Sequence, residues 1–246
     1  GTAVTTTAAY SATGLTANTT YEFYVQADCG ASGTSSWAGP FSFTTLPGVH
    51  TFPLVEDFEA GFTYFGNASG NNVDWAINTA YYHSGAQSLH NDHGSSNNNI
   101  LHETGILDLS TTTDPVLEFW HIAKTEGGYD DCFVEISTDN GATYTALPAS
   151  AYIGAASDYA TRGYFHEDSY SVWGTSNTTP DNITWWKKET FTLSAYNVAN
   201  VRVRFRLNSD GSANRAGWYI DDVTVEEAPS PLPASPIIIS QYIETN

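Results

Sequence analysis

Apolar and polar residues alternate along much of this chain. In the run 20–27, Tyr21, Phe23 and Val25 fall on one face. In 201–207, Val201, Val203, Phe205 and Leu207 share a face, and Arg202, Arg204 and Arg206 occupy the opposite one. A period of two marks a strand with one buried side. No stretch of a dozen residues carries a 3.6-residue apolar repeat between caps, so helices are not expected. Shorter strand patterns recur at 116–120, 133–136 and 216–225. Between Ile136 and Tyr144 the run Ser137-Thr138-Asp139-Asn140-Gly141 predicts a tight hairpin, with Asn-Gly supplying the positive-φ residues. The pattern as a whole predicts an all-β protein.

Composition supports that reading. Aromatic residues make up 14% of the 246 residues, and strands favour them. Hydrophobic residues reach 41%, enough to bury a core. The formal net charge is −19. Such a field repels a phosphate backbone, so nucleic acid is excluded as a partner. No apolar run is long enough for a membrane-spanning helix, so no membrane insertion is expected. Cys29 and Cys132 lack metal-ligand spacing and are expected as unpaired thiols, each half-buried in a strand. The three arginines of 202–206 could receive a carboxylate-bearing ligand or pair across strands with acidic neighbours.

Pro and Gly punctuate the chain into units. Residues 1–46 form a first block, 47–50 a linker, and 51–227 the main domain. A Pro-rich linker at 228–236 precedes an apolar strand at 237–246, where Ile237 to Ile243 is expected to pair with a sheet edge. The chain opens inside a strand pattern, which reads as an internal fragment.

Several motifs carry family resemblance. Gly14-Leu15, Thr19 and Tyr21, followed by Trp37 and the run Phe41 to Thr45, resemble the C-terminal half of a fibronectin type III domain. There the tyrosine ties a corner loop to the sandwich. The segment Ile239-Ser240-Gln241-Tyr242 is similar to the opening of lamin-tail-like modules. In the main domain the order Asp57-Phe58-Glu59, Trp75, Ser84-Gly85, Ser88-Leu89, Leu117-Glu118-Phe119-Trp120, Val134-Glu135, Ser137 to Gly141 and Trp218 to Val223 resembles MAM-like jelly-roll modules. These are also called cleaved-adhesin or choice-of-anchor domains of Bacteroidetes-type secreted proteins. An insert around Gly154 to Pro180 has no counterpart in that pattern.

The resemblance implies a jelly-roll β-sandwich with a partial fibronectin type III sandwich before it. It implies an extracellular or bacterial cell-surface location and type IX secretion. It also implies a structural calcium ion between the first and last strands, with Glu59 and Asp221 as ligands and Asp57 and Asp222 as alternates. Asp221 shares its phase with Val223 and Val225, so it should point inward. A buried carboxylate is costly without a partner, and calcium takes six to eight oxygens.

No catalytic residue is assigned, because neither Gly-x-Ser-x-Gly nor a supported Cys–His pair is present. A paired-carboxylate glycosidase stays open among so many acids. His83, His90, His93 and His102 lack zinc spacing. Asp92 with Asn97 to Asn99 offers oxygens for a second calcium. The Asp-box sequence Ser137 to Tyr144 reads as structural. Trp173, Trp185, Trp186 and Tyr170 gather around the insert. They read either as a platform that stacks on sugars or as core packing, with Trp185 and Trp186 expected on opposite faces of a strand. The leading expectation is a non-catalytic adhesion or interaction module stabilised by calcium. Its partners would be a glycan or cell-surface protein and neighbouring domains of the same polypeptide. The alternative is a carbohydrate-binding module appended to a secreted hydrolase or peptidase.

Overall fold

A computed structural model describes residues 11–17, 19–92, 94–156, 158–174 and 179–229. The strand expected at 237–243 lies outside them. Strands β1 (Thr20–Val25) and β2 (Ala38–Thr44) pair antiparallel as a hairpin. Tyr21 stacks on Phe43 at 5.9 Å and Phe23 packs on Phe41 at 5.4 Å, so these rings share one face. The Tyr21 hydroxyl accepts the Thr16 amide at 2.8 Å, tying the preceding loop to the strand.

The remaining strands form two antiparallel sheets. The five-stranded sheet has the order β10 (Thr145–Ala146), β9 (Asp131–Ser137), β12 (Arg202–Asn208), β7 (Asn98–Glu103) and β4 (Phe65–Asn67). The other runs β11 (Lys187–Thr192), β8 (Pro115–Lys124), β13 (Gly217–Glu227), β6 (Ser88–Asn91) and β5 (Ala76–Asn78). Strand β3 (Leu54–Glu56) pairs with the far half of β13. The chain crosses repeatedly between the sheets, so the domain is a jelly-roll sandwich. The expected paucity of helix holds: among the described residues there is one short α-helix, α1 (Tyr159–Arg162). None is long and apolar enough to cross a membrane.

Alternation fills the space between the sheets. Val201, Val203, Phe205 and Leu207 are fully buried, as their phase predicts. Phe205 meets Phe119 at 5.1 Å and Trp218 at 5.7 Å across the core. Each such large side chain contributes ~1.5–3 kcal/mol on burial.

The insert does not project from the sandwich. Phe165 exchanges backbone hydrogen bonds with Cys132 on the edge of β9, and Ile153 donates to Thr190 on the edge of β11. One segment thus covers a free edge of each sheet, which removes two unpaired ladders. Its aromatics turn inward to fill the gap behind those edges. Cys132 is buried and Cys29 exposed, both as free thiols. Cys29 corrects the expectation of a half-buried strand position, because it precedes a 3-10 turn at Gly30–Ser32.

Candidate functional site

Two regions bring together side chains singled out in the sequence. The first surrounds the loop from His83 to Gln87. Asp221, fully buried in β13, accepts the amides of His83 at 2.8 Å and Ser84 at 3.2 Å on one oxygen. Its other oxygen accepts the Asp222 amide at 2.8 Å. Pairing between β8 and β13 shifts register between Asp221 and Thr224, and Asp222 takes a φ of 48°. That bulge turns Asp222 outward, where it meets His83 Nδ1 at 2.6 Å and the Ser84 hydroxyl at 2.8 Å. Glu59 accepts the amides of Ala86 at 2.9 Å and Gln87 at 2.8 Å. A Cβ at Gly85 would overlap the Glu59 carboxylate, and its φ is 60°, so this position needs glycine.

Three of the four expected metal ligands therefore converge on one loop. Asp57 does not join them: its carboxylate accepts the Glu59 amide at 3.1 Å in a local turn. Glu56, which the sequence reading passed over, accepts the amides of Thr63 and Tyr64 at 2.9 and 2.7 Å. It orders the loop that presents Glu59. Burial, and then the neighbouring Asp222, push the Asp221 carboxyl up to about 7. The oxygen donors suit a hard cation in type. In number they fall short, since no three His, Cys, Asp or Glu side chains among the described residues form a metal-holding group. A cation here would draw its other ligands from carbonyls.

The second region is the outer face of the five-stranded sheet. Arg202, Arg204 and Arg206 point away from the core along β12. Glu135 of β9 lies directly opposite Arg204 in register. It receives Nε of Arg204 at 2.5 Å, and Nε and Nη2 of Arg206 at 3.0 and 2.8 Å. The Arg204 guanidinium lies 4.0 Å from the centre of the Tyr144 ring, and that of Arg206 4.2 Å from Phe133. Arg202, 9% exposed, reaches His102 Nδ1 at 2.8 Å and the Glu103 carbonyl. A cleft of about 190 Å³ opens here, lined by Ala68, Ile100, His102, Gly141, Tyr144, Arg202 and Arg204. Burial lowers the affinity of His102 for a second proton, which favours the neutral ring beside these arginines. Glu103 faces the core instead, and burial pushes its carboxyl up to about 8.

The cleft wall includes the Asp-box hairpin. Asp139 accepts the Thr143 amide at 2.9 Å and its hydroxyl at 2.6 Å, and receives the Ser137 hydroxyl at 2.7 Å. Asn140 and Gly141 have φ of 62° and 85°, as Asn-Gly predicts. This hairpin places Gly141 and Tyr144 beside the arginines.

No protein-family model matches the chain. A stretch of 42 residues, 17% of this chain, is 48% identical to Bacillopeptidase F of Bacillus subtilis and takes in 3% of that protein's length. Among solved structures, the K1 cleaved adhesin domain of Lys-gingipain from Porphyromonas gingivalis is similar at a TM-score of 0.44 and 18% identity, over 73% of this chain and 100% of that one. TmCBM61 in complex with β-1,4-galactotriose gives 0.40 and 15%, over 70% and 94%. The CBM22-1 xylan-binding domain of Paenibacillus barcinonensis Xyn10C gives 0.38 and 16%, over 72% and 95%.

Of the two readings left open for the aromatics of the insert, a sugar platform or core packing, the burial of the three indoles is that of packing. Trp173 is fully buried, and Trp185 and Trp186 are 8% and 5% exposed. Trp173 donates its indole N–H to the Trp185 carbonyl at 2.7 Å. Trp185 and Trp186 precede β11 and do not split across its faces. The half-buried Tyr170 gives its hydroxyl to Glu189 at 2.7 Å. These rings close the edge of the sandwich, and none of these three indoles is free to stack on a ligand. His90 stacks on Tyr219 at 4.0 Å. Asn99 spends its side chain on Asn91 and on the amides of Asn72 and Val73. His93 lies outside the described residues. The cleft residues Tyr144 and His102, and Glu135 beside them, were missed, although three alternate arginines in a chain with eight Lys and Arg was the available signal.

Proposed function

We propose that residues 51–227 are a non-catalytic, extracellular glycan-binding module of a larger surface or secreted protein. Its ligand site is the cleft on the outer face of the five-stranded sheet. The observation that carries this reading is the cleft itself: hydrogen-bond donors from Arg202, Arg204 and His102 stand beside the Tyr144 ring in an open recess. A recess with a few fixed polar groups and an aromatic wall suits a small polar ligand. The carboxylate beside it, Glu135, is held by two arginines, an arrangement that supports binding and not acid–base work.

Calcium belongs to this proposal as a structural ion at Glu59 and Asp221, completed by carbonyl oxygens. The support is a buried carboxyl whose anion is disfavoured next to a second acid. The hairpin of β1 and β2 is read as part of a fibronectin type III-like sandwich, supported by the Tyr21–Thr16 tie. A second reading, contact with a protein surface, draws on that same hairpin. Its Phe23, Phe41 and Phe43 are each more than 40% exposed on one face.

The test is a glycan array probed with the whole chain, in calcium and again in EDTA. Selective glycan binding supports the module reading. Absence of binding by the folded protein in both buffers, together with capture by a surface protein, favours the second.

A further inference from the structure

We propose that the cleft selects a sugar bearing a carboxylate, such as a uronic acid residue at the end of a short chain. This rests on the glycan reading above and adds the chemical class.

The cleft face is a basic island on a chain of net charge −19. Glu135 takes Nε from two of the three arginines, Arg204 and Arg206, and Arg202 has no carboxylate partner within hydrogen-bond reach among the described residues. The nearby Asp139 commits both oxygens to Ser137 and Thr143. Arg204 lines the cleft and is more exposed than Arg202. Its Nε is fixed by Glu135 and its plane by the Tyr144 ring, and its two Nη groups have no hydrogen-bond partner among the described residues. Such a guanidinium is a pre-oriented fork, and a planar fork matches a carboxylate with two parallel hydrogen bonds. Arg202, at the back of the cleft, is held by His102 and the carbonyls of Glu103 and Asn140. Its Nε has no partner.

Size narrows the ligand further. The volume of about 190 Å³ is below the ~300–1,000 Å³ of pockets that enclose drug-sized molecules. One ring enters, and the rest of a chain stays outside. The overall negative charge disfavours a long polyanion at a distance, so the favourable contact is short-ranged. Arg206 spends Nε and Nη2 on Glu135 and lies outside the cleft lining, so the fork offered to a ligand is that of Arg204.

The experiment is calorimetric titration of the whole chain with trigalacturonic acid and with its methyl ester, which keeps the shape and removes the charge. The acid is expected to bind about ten-fold tighter or more, as a charge-assisted pair allows. Arg204→Gln is expected to reduce that preference, with folding checked by circular dichroism. The wild-type comparison stands even if a variant fails to fold. Equal binding of acid and ester, or binding of neutral glycans alone, overturns the carboxylate inference and leaves the glycan reading intact. Equal affinity for triglutamate overturns it in favour of an acidic peptide. No binding to any saccharide on the array removes the glycan reading itself.

Discussion

Trp218 donates its indole N–H to Nδ1 of His121 at 3.2 Å, and both side chains are fully buried. An indole nitrogen can only donate, so Nδ1 must accept and the imidazole proton sits on Nε2. That proton points at Glu189, 3.0 Å away. Glu189 also receives the hydroxyls of Tyr170 and Tyr152, at 2.7 and 2.5 Å. One carboxylate thus gathers three donors from β8 and the insert, and the insert is fastened to the sandwich through it.

Replacing Glu189 by Leu would leave the buried His121 and the half-buried hydroxyls of Tyr152 and Tyr170 without their acceptor. At about 1–3 kcal/mol each, the expected loss is at least ~3 kcal/mol in urea unfolding. Glu189→Gln is expected to rescue only in part, because it keeps one acceptor oxygen and loses the charge that the three donors share. A loss below ~1 kcal/mol for either variant would contradict this account of the insert.

Trp173 should behave as a core residue. Trp173→Ala is expected to cost ~3–5 kcal/mol, as large aromatic truncations do. Any loss of ligand binding should track unfolding. If the variant is as stable as the parent but no longer binds glycan, the assignment of this ring to packing fails.

Asp221 and Asp139 should respond to pH with opposite signs. Folded Asp221 keeps its proton up to about pH 7, whereas an unfolded aspartate releases it near ~4. Between those values the folded state binds more protons, so Asp221 makes stability fall as pH rises, and its cost is fully present above 7. Without added cation, Asp221→Asn should flatten the melting-temperature profile between pH 4 and 7. Calcium at pH 7 should raise the melting temperature of the parent and not of the variant. An identical calcium response in both would remove Asp221 from the proposed ion site.

The Asp139 carboxyl is held down to about 2, chiefly by Thr143 and then Ser137. Its contribution is present above ~4 and is lost as pH falls through 2. A carboxyl resonance titration should place its midpoint near 2, and a midpoint near ~4 would mean the hairpin bonds do not persist in solution.

Tyr21→Phe should unprotect the Thr16 amide, whose acceptor is the phenolic oxygen. Hydrogen exchange at Thr16 reports this directly. Unchanged protection would show that the loop is ordered by other contacts.

The sandwich was legible because period-two patterns such as 201–207 fix which side chains face inward. Asp221 was placed inward by the same rule, and the structure buries it. What alternation does not contain is register. That Glu135 stands opposite Arg204, 69 positions away, follows from how β9 and β12 align. The aromatic insert left two readings open for a related reason. Its residues are irregular, so no period reveals their direction, and only the exposed edges of β9 and β11 explain why its rings turn inward. Similarly, the bulge that sends Asp222 outward and leaves Asp221 inside depends on pairing with β8.

The most direct test of the binding face is a nitrogen–proton chemical-shift titration with a glycan selected on the array. The account expects the largest shifts at His102, Gly141, Tyr144 and Arg204, with the loop from His83 to Gln87 unchanged. Shifts confined to that loop, or to the hairpin of β1 and β2, would contradict a ligand site on the five-stranded sheet.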